Sequence, residues 1–140
     1  MKRTLIAVAA ALSLTAAAAS AQSSPGDPGA GTERGVEQVN NSGQVGTVTL
    51  FDRGTGTRVL VTLKGTPEGR VQSVRVYRGP SCDDLGGRPQ YFLNDMRNGG
   101  SNTPIVKAPQ SKLLSGNYNV VVFSSNAAGA QATACGHLYQ

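Results

Sequence analysis

The side chains in this sequence that could do chemistry are few and fall into three groups. Two cysteines, Cys82 and Cys135, are widely separated. An acidic pair, Asp83-Asp84, follows the first, and the only histidine, His137, lies two residues after the second. The third group is basic: Arg75, Tyr77 and Arg78 close together, with Arg88 further on. One imidazole cannot supply a metal site that needs three or four ligands. Adjacent carboxylates could hold a hard cation, but on a glycine-containing loop they read as solvated residues. Serine, histidine and aspartate are all present, yet no nucleophile elbow and no orienting partner for His137 can be picked out, so acyl-transfer catalysis is not expected. His137 itself reads as a satisfied or solvent-facing strand residue.

The arginines are the more informative group. Val71 to Arg78 alternates, so Val74 and Val76 point one way while Ser73, Arg75 and Tyr77 point the other. A planar guanidinium suits carboxylate, phosphate or sulfate, and a neighbouring tyrosine adds a flat amphipathic surface. Arg75, Tyr77, Arg78 and Arg88 are therefore a candidate anion-binding face. The competing reading is that they are ordinary solvated residues, paired with Asp83 or Asp84.

Residues 1–21 have the make-up of an export signal. Lys2 and Arg3 open it, an alanine- and leucine-rich stretch follows, and Ala19-Ser20-Ala21 forms a small-residue cleavage site. No later apolar run is long enough to span a bilayer. Removing Lys2 and Arg3 lowers the formal net charge of +5 by two, so much of the apparent basicity belongs to the signal. The remaining balance suits an anionic surface or polymer, whereas nucleic acid is a poor fit to an exported chain of such modest charge. In a periplasmic or extracellular chain an even cysteine count implies a structural disulfide, here Cys82–Cys135. A copper(I)-binding pair or a redox couple is the alternative. The wide separation and the absence of a Cys-x-x-Cys spacing weigh against it.

The rest of the chain must position these groups, and it reads as short strands and turns. Residues 22–35 are rich in Pro, Gly and Ser and read as a flexible leader, with one domain over 36–140. Val36 to Val39 and Gln44 to Phe51 read as a hairpin around Asn40-Asn41-Ser42-Gly43. Thr57 to Lys64 alternates cleanly, with Val59, Val61 and Leu63 toward a core. Gly65 to Gly69 is a turn into the arginine-bearing strand. Asp83 to Gly100 reads as a long irregular stretch with a short apolar piece at Tyr91-Phe92-Leu93. Thr103 to Val106 reads as a short strand, and Pro109 to Leu114 as a polar connector. Tyr118 to Phe123 and Ala130 to Leu138 read as closing strands. No segment reads as an amphipathic helix, and the close-set strands argue for an all-β sandwich or barrel.

Taken in order, these pieces resemble the copper–zinc superoxide dismutase family and its small exported relatives. The resemblance covers about Val36 to Leu138. It rests on Gly65-Thr66-Pro67-Glu68-Gly69 before the central strand, Arg78-Gly79-Pro80-Ser81-Cys82, Tyr91-Phe92-Leu93, Leu113 to Tyr118 and Ala134-Cys135-Gly136. It implies a Greek-key β-barrel in which a Cys82–Cys135 bridge ties the long loop to the last strand. It does not carry the chemistry over. The positions of the family's His-x-His copper ligands hold Arg75 and Tyr77, a later ligand position holds Phe123, and Asp83 to Gly100 contains no histidine. The position of the arginine that guides superoxide holds Ala132. Arginine cannot bind a metal cation, and tyrosine does so only after losing its phenolic proton. The expectation is a metal-free, cofactor-free, non-enzymatic exported protein that binds an anionic envelope polymer or a protein partner. The alternative is a degenerate copper-binding dismutase with unusual ligands.

Overall fold

The computed structural model describes residues 31–139; the expected signal segment and most of the expected leader lie outside the described residues. Eight strands and one short helix follow in order. They are β1 (Thr32–Gln38), β2 (Val45–Arg53), β3 (Gly56–Lys64), β4 (Val71–Arg78), β5 (Pro89–Arg97), β6 (Gly100–Val106), α1 (Gln110–Ser115), β7 (Tyr118–Phe123) and β8 (Ala132–His137). Among these residues no helix is long and apolar enough to cross a membrane. The strands close into an antiparallel barrel in the order β1-β2-β3-β6-β5-β4-β7-β8. β3 beside β6 and β4 beside β7 are the crossovers of a Greek key. The expected all-β barrel with one disulfide holds.

Alternation explains why these segments are strands and which way they face. Val59, Val61 and Leu63 of β3 are buried, as are Val74 and Val76 of β4 and Val120 and Val122 of β7. They meet Val36, Val48, Leu50, Ala134 and Leu138 in one core. β-branched side chains suit such a pleated, enclosed surface, and each burial of a Val or Leu stabilises by roughly 1.5–3 kcal/mol. Asn40 and Asn41 take positive φ of 56° and 55° between β1 and β2, as the hairpin reading expects.

The core is closed by polar groups at one end. Gln72 Nε2 donates to Gln44 Oε1 at 3.1 Å and to the Phe123 carbonyl at 2.8 Å, and Thr133 Oγ1 donates to Gln44 Oε1 at 2.9 Å. All three side chains are buried, so these bonds replace water rather than compete with it. Near the far end of β2, Gln110 of α1 donates to the Leu50 carbonyl at 2.9 Å, and Leu113 enters the core.

Four of the sequence readings are corrected. The leader ends sooner than expected, because Thr32 to Gly35 already pair with Leu50 to Thr47 as part of β1. Asp83 to Gly100 is not irregular throughout: it contains β5, and Gly100 opens β6. β5 pairs Leu93 with Val74 and Met96 with Gln72, so one extra residue sits at Asn94-Asp95. That bulge breaks the two-residue period that would have marked a strand. The connector before β7 includes the helix α1, whose six residues are too short to show a helical period. The last strand is the shorter Ala132–His137.

Candidate functional site

β4 lies between β5 and β7, which places Arg75 opposite Phe92 on one side and Val121 on the other. Its side chain leaves the barrel outward, as alternation requires. The guanidinium carbon sits 5.4 Å from the ring centroid of Phe92 and 5.4 Å from that of Phe123. Tyr77, two positions along the same face, packs against Phe123 with ring centroids 6.1 Å apart. Arg75 is thus clamped between two aromatic faces, an attraction worth roughly 0.5–1 kcal/mol at an exposed site. An aromatic ring takes no conventional hydrogen bond, so the guanidinium N–H groups keep their capacity to donate to a ligand. Phe92 remains 70% exposed, so this cluster presents a bare ring beside a fixed cation.

Arg78 and Arg88 form a second grouping. After β4 the chain folds back on the strand end: Gly79 N–H donates to the Asn117 carbonyl at 2.8 Å, and Gly86 N–H donates to the Arg78 carbonyl at 2.6 Å. Glycine is needed at 79, because a Cβ there would lie 2.1 Å from the Asp84 carbonyl oxygen. The fold-back leaves an open cleft of about 610 Å³ lined by Arg78, Asp84, Arg88, Gln90 and Asn117. Among the described residues no ion pair joins Arg75, Arg78 or Arg88 to a carboxylate. The four residues expected to form one face therefore divide in two. Arg78 and Arg88 share the cleft, while Arg75 and Tyr77 belong to the aromatic cluster. Gln90 and Phe92, two positions apart on β5, connect the two groups.

The cysteines are joined. Cys82 and Cys135 form a disulfide with an S–S distance of 2.07 Å, and no cysteine is free. The bridge ties the loop after β4 to β8, and a second cleft of about 480 Å³ opens beside it, lined in part by Glu37, Asp83 and His137. His137 does have an orienting partner, contrary to the sequence reading: its Nδ1 is hydrogen-bonded to Asn119 Oδ1. Asn119 is fully buried, and its Nδ2 donates to the Gly79 carbonyl at 2.9 Å. That bond turns the amide oxygen toward the ring, and an amide oxygen only accepts. The imidazole proton is therefore held on Nδ1, leaving Nε2 as the acceptor nitrogen. Tyr139 packs against the ring at a tilt of 51°, centroids 5.4 Å apart, and donates its hydroxyl to the Pro80 carbonyl. An asparagine inside the apolar run Tyr118–Phe123 was the one sequence signal of this arrangement, since a buried amide must find partners.

Copper does not fit Arg75, Tyr77 and Phe123, which the resemblance would set at copper-ligand positions. A guanidinium, a phenol and a phenyl ring stand where imidazoles would be required, and they are engaged with one another. Among the described residues no group of three or more His, Cys, Asp or Glu side chains is placed to hold a metal ion. No protein-family model matches the chain, and no curated protein matches it.

Proposed function

We propose that this chain is an exported, non-catalytic binding protein that captures anionic groups on the cell envelope through its arginine face. The observation that carries the reading is the convergence of Arg78, at the end of β4, and Arg88, just before β5, on one open cleft. Two forked cations with no carboxylate partner among the described residues suit a carboxylate, phosphate or sulfate better than a neutral ligand. Asp84 is also in the lining. The Greek-key order and the Cys82–Cys135 bridge support a dismutase-like scaffold. The arginine and aromatic side chains on its outer face support binding in place of dismutation.

The experiment is retention of the purified protein on anionic and neutral matrices at low salt, with Arg78→Ala/Arg88→Ala as the test variant. The double variant loses anion retention, and raising salt weakens retention of the parent protein. Undiminished retention by the double variant removes the cleft from consideration. Arg75→Ala, run beside it, reports the share of the aromatic cluster.

A further inference from the structure

We propose that the anionic ligand is an acidic polysaccharide, held with an anionic sugar's ring on Phe92 and carboxylates on the arginines. The proposal rests on the anion-binding reading above and adds the ligand's chemistry. It starts from the exposure of Phe92. A phenylalanine 70% exposed on a strand face keeps a large apolar surface in water, although Tyr91 and Leu93 beside it turn inward. Arg75 stands against the Phe92 ring, and Arg88 lies four positions earlier in the chain, in the adjoining cleft.

A flat apolar surface of one ring, bordered by guanidinium donors, matches a ligand built the same way. A uronate sugar has an apolar C–H face and an anionic, hydroxyl-bearing rim. Its face covers Phe92, while its carboxylate meets the N–H donors of Arg75. Gln90 and Asn117, in the adjoining cleft, offer amides for ring hydroxyls, and Arg78 and Arg88 meet the carboxylate of the next unit. A polyanion without rings uses the arginines and makes no ring contact with Phe92. A lipid surface calls for a broader apolar area than one exposed ring.

The test measures affinity of the full chain, as processed by the producing cell, for four probes. They are a galacturonate oligomer, its neutral methyl-esterified form, polyglutamate of matched charge, and a single-stranded oligothymidylate. The galacturonate oligomer binds about fivefold more tightly than polyglutamate, the margin expected of one good ring contact. Phe92→Ala erases that margin, costing galacturonate about fivefold more affinity than it costs polyglutamate, and Phe92→Tyr restores it. The neutral ester binds far more weakly than the acid. Equal affinity for both polyanions, or a margin untouched by Phe92→Ala, overturns the polysaccharide assignment and leaves the anion-binding reading standing. Preference for the oligothymidylate overturns it in favour of nucleic acid. Concentration-dependent self-association abolished by Phe92→Ala, seen by sedimentation, overturns it in favour of a second copy of the chain. Failure to bind any polyanion removes both readings together.

Discussion

Arg75 pairs directly with Phe92 across the β4–β5 ladder, and its guanidinium carbon lies 5.4 Å from that ring's centroid. The pairing ties the charge on the central strand to the one large exposed ring on its neighbour. It also explains how a cation is held in a fixed position on a sheet surface without a carboxylate to anchor it. Cross-strand contacts of this kind contribute roughly 0.2–1 kcal/mol.

A double-mutant cycle of Arg75→Ala and Phe92→Ala, read by urea unfolding, therefore gives a coupling of about 0.5–1 kcal/mol. Each single variant folds, because neither side chain belongs to the core. A coupling indistinguishable from zero means that the clamp does not persist in solution. Arg75→Lys retains the charge but loses the planar stacking, and its stability falls between the parent and the alanine variant.

The disulfide acts on a different scale. Cys82 and Cys135 are 53 residues apart in sequence, so their bridge closes a long loop in the unfolded chain. The loop-entropy relation gives about 4 kcal/mol for that closure. Cys82→Ser/Cys135→Ser, and equally the parent protein under reductant, shows a loss of that order in denaturant titrations. A loss below about 1 kcal/mol would mean that the unfolded chain is already held compact without the bridge.

Asn119 yields a sharper prediction, because it satisfies two partners at once. Asn119→Leu removes the donor to the Gly79 carbonyl and the acceptor for His137 Nδ1. Leaving such groups unpaired costs about 1–3 kcal/mol. The parent protein, at a pH where the imidazole is neutral, shows the Nδ1–H tautomer in long-range proton–nitrogen spectra, and the variant shows a mixture of tautomers. Observation of the Nε2–H tautomer in the parent contradicts the hydrogen-bond assignment.

The sequence makes the barrel legible where the two-residue period runs uninterrupted, and it fails where that period breaks. Val59, Val61 and Leu63 announce their face of β3, and Val74 and Val76 announce theirs in β4. β5 is hidden because the extra residue at Asn94-Asp95 shifts the phase between Leu93 and Met96. Arg75 and Tyr77 are legible as outward residues from alternation alone. Their partners are not, because Phe92 and Phe123 reach them across neighbouring strands, and lateral register is a tertiary property. The separation of Arg78 and Arg88 from Arg75 has the same cause: the loop that brings the first two together folds back through contacts at Gly79 and Gly86. The partner of His137 is hidden likewise, since Asn119 meets it only through the β7–β8 pairing.

The buried glutamine cluster supplies a pH-dependent test of the barrel's polar end. Gln72 Nε2 faces three acceptors, Gln44 Oε1, the Phe123 carbonyl and, at 3.4 Å, Thr133 Oγ1. Gln72→Glu keeps the shape but replaces both donors with a carboxylate that can only accept once ionised. Burial and the facing oxygens disfavour that ionised form, so the new carboxyl titrates higher in the folded protein than in the unfolded chain. The sign follows from linkage. Below the ordinary glutamate range, near pH ~4, the side chain is protonated in both states and the variant comes closest to the parent in stability. As pH rises from there toward the raised folded value, the unfolded chain releases its proton first and stability falls. Above the folded value the loss levels off. Urea unfolding of variant and parent from pH 3 to pH 8 gives a difference that grows with pH and then flattens. A difference independent of pH would place residue 72 in contact with water, and Gln72→Leu separates that outcome from simple loss of the hydrogen bonds, because its cost does not vary with pH.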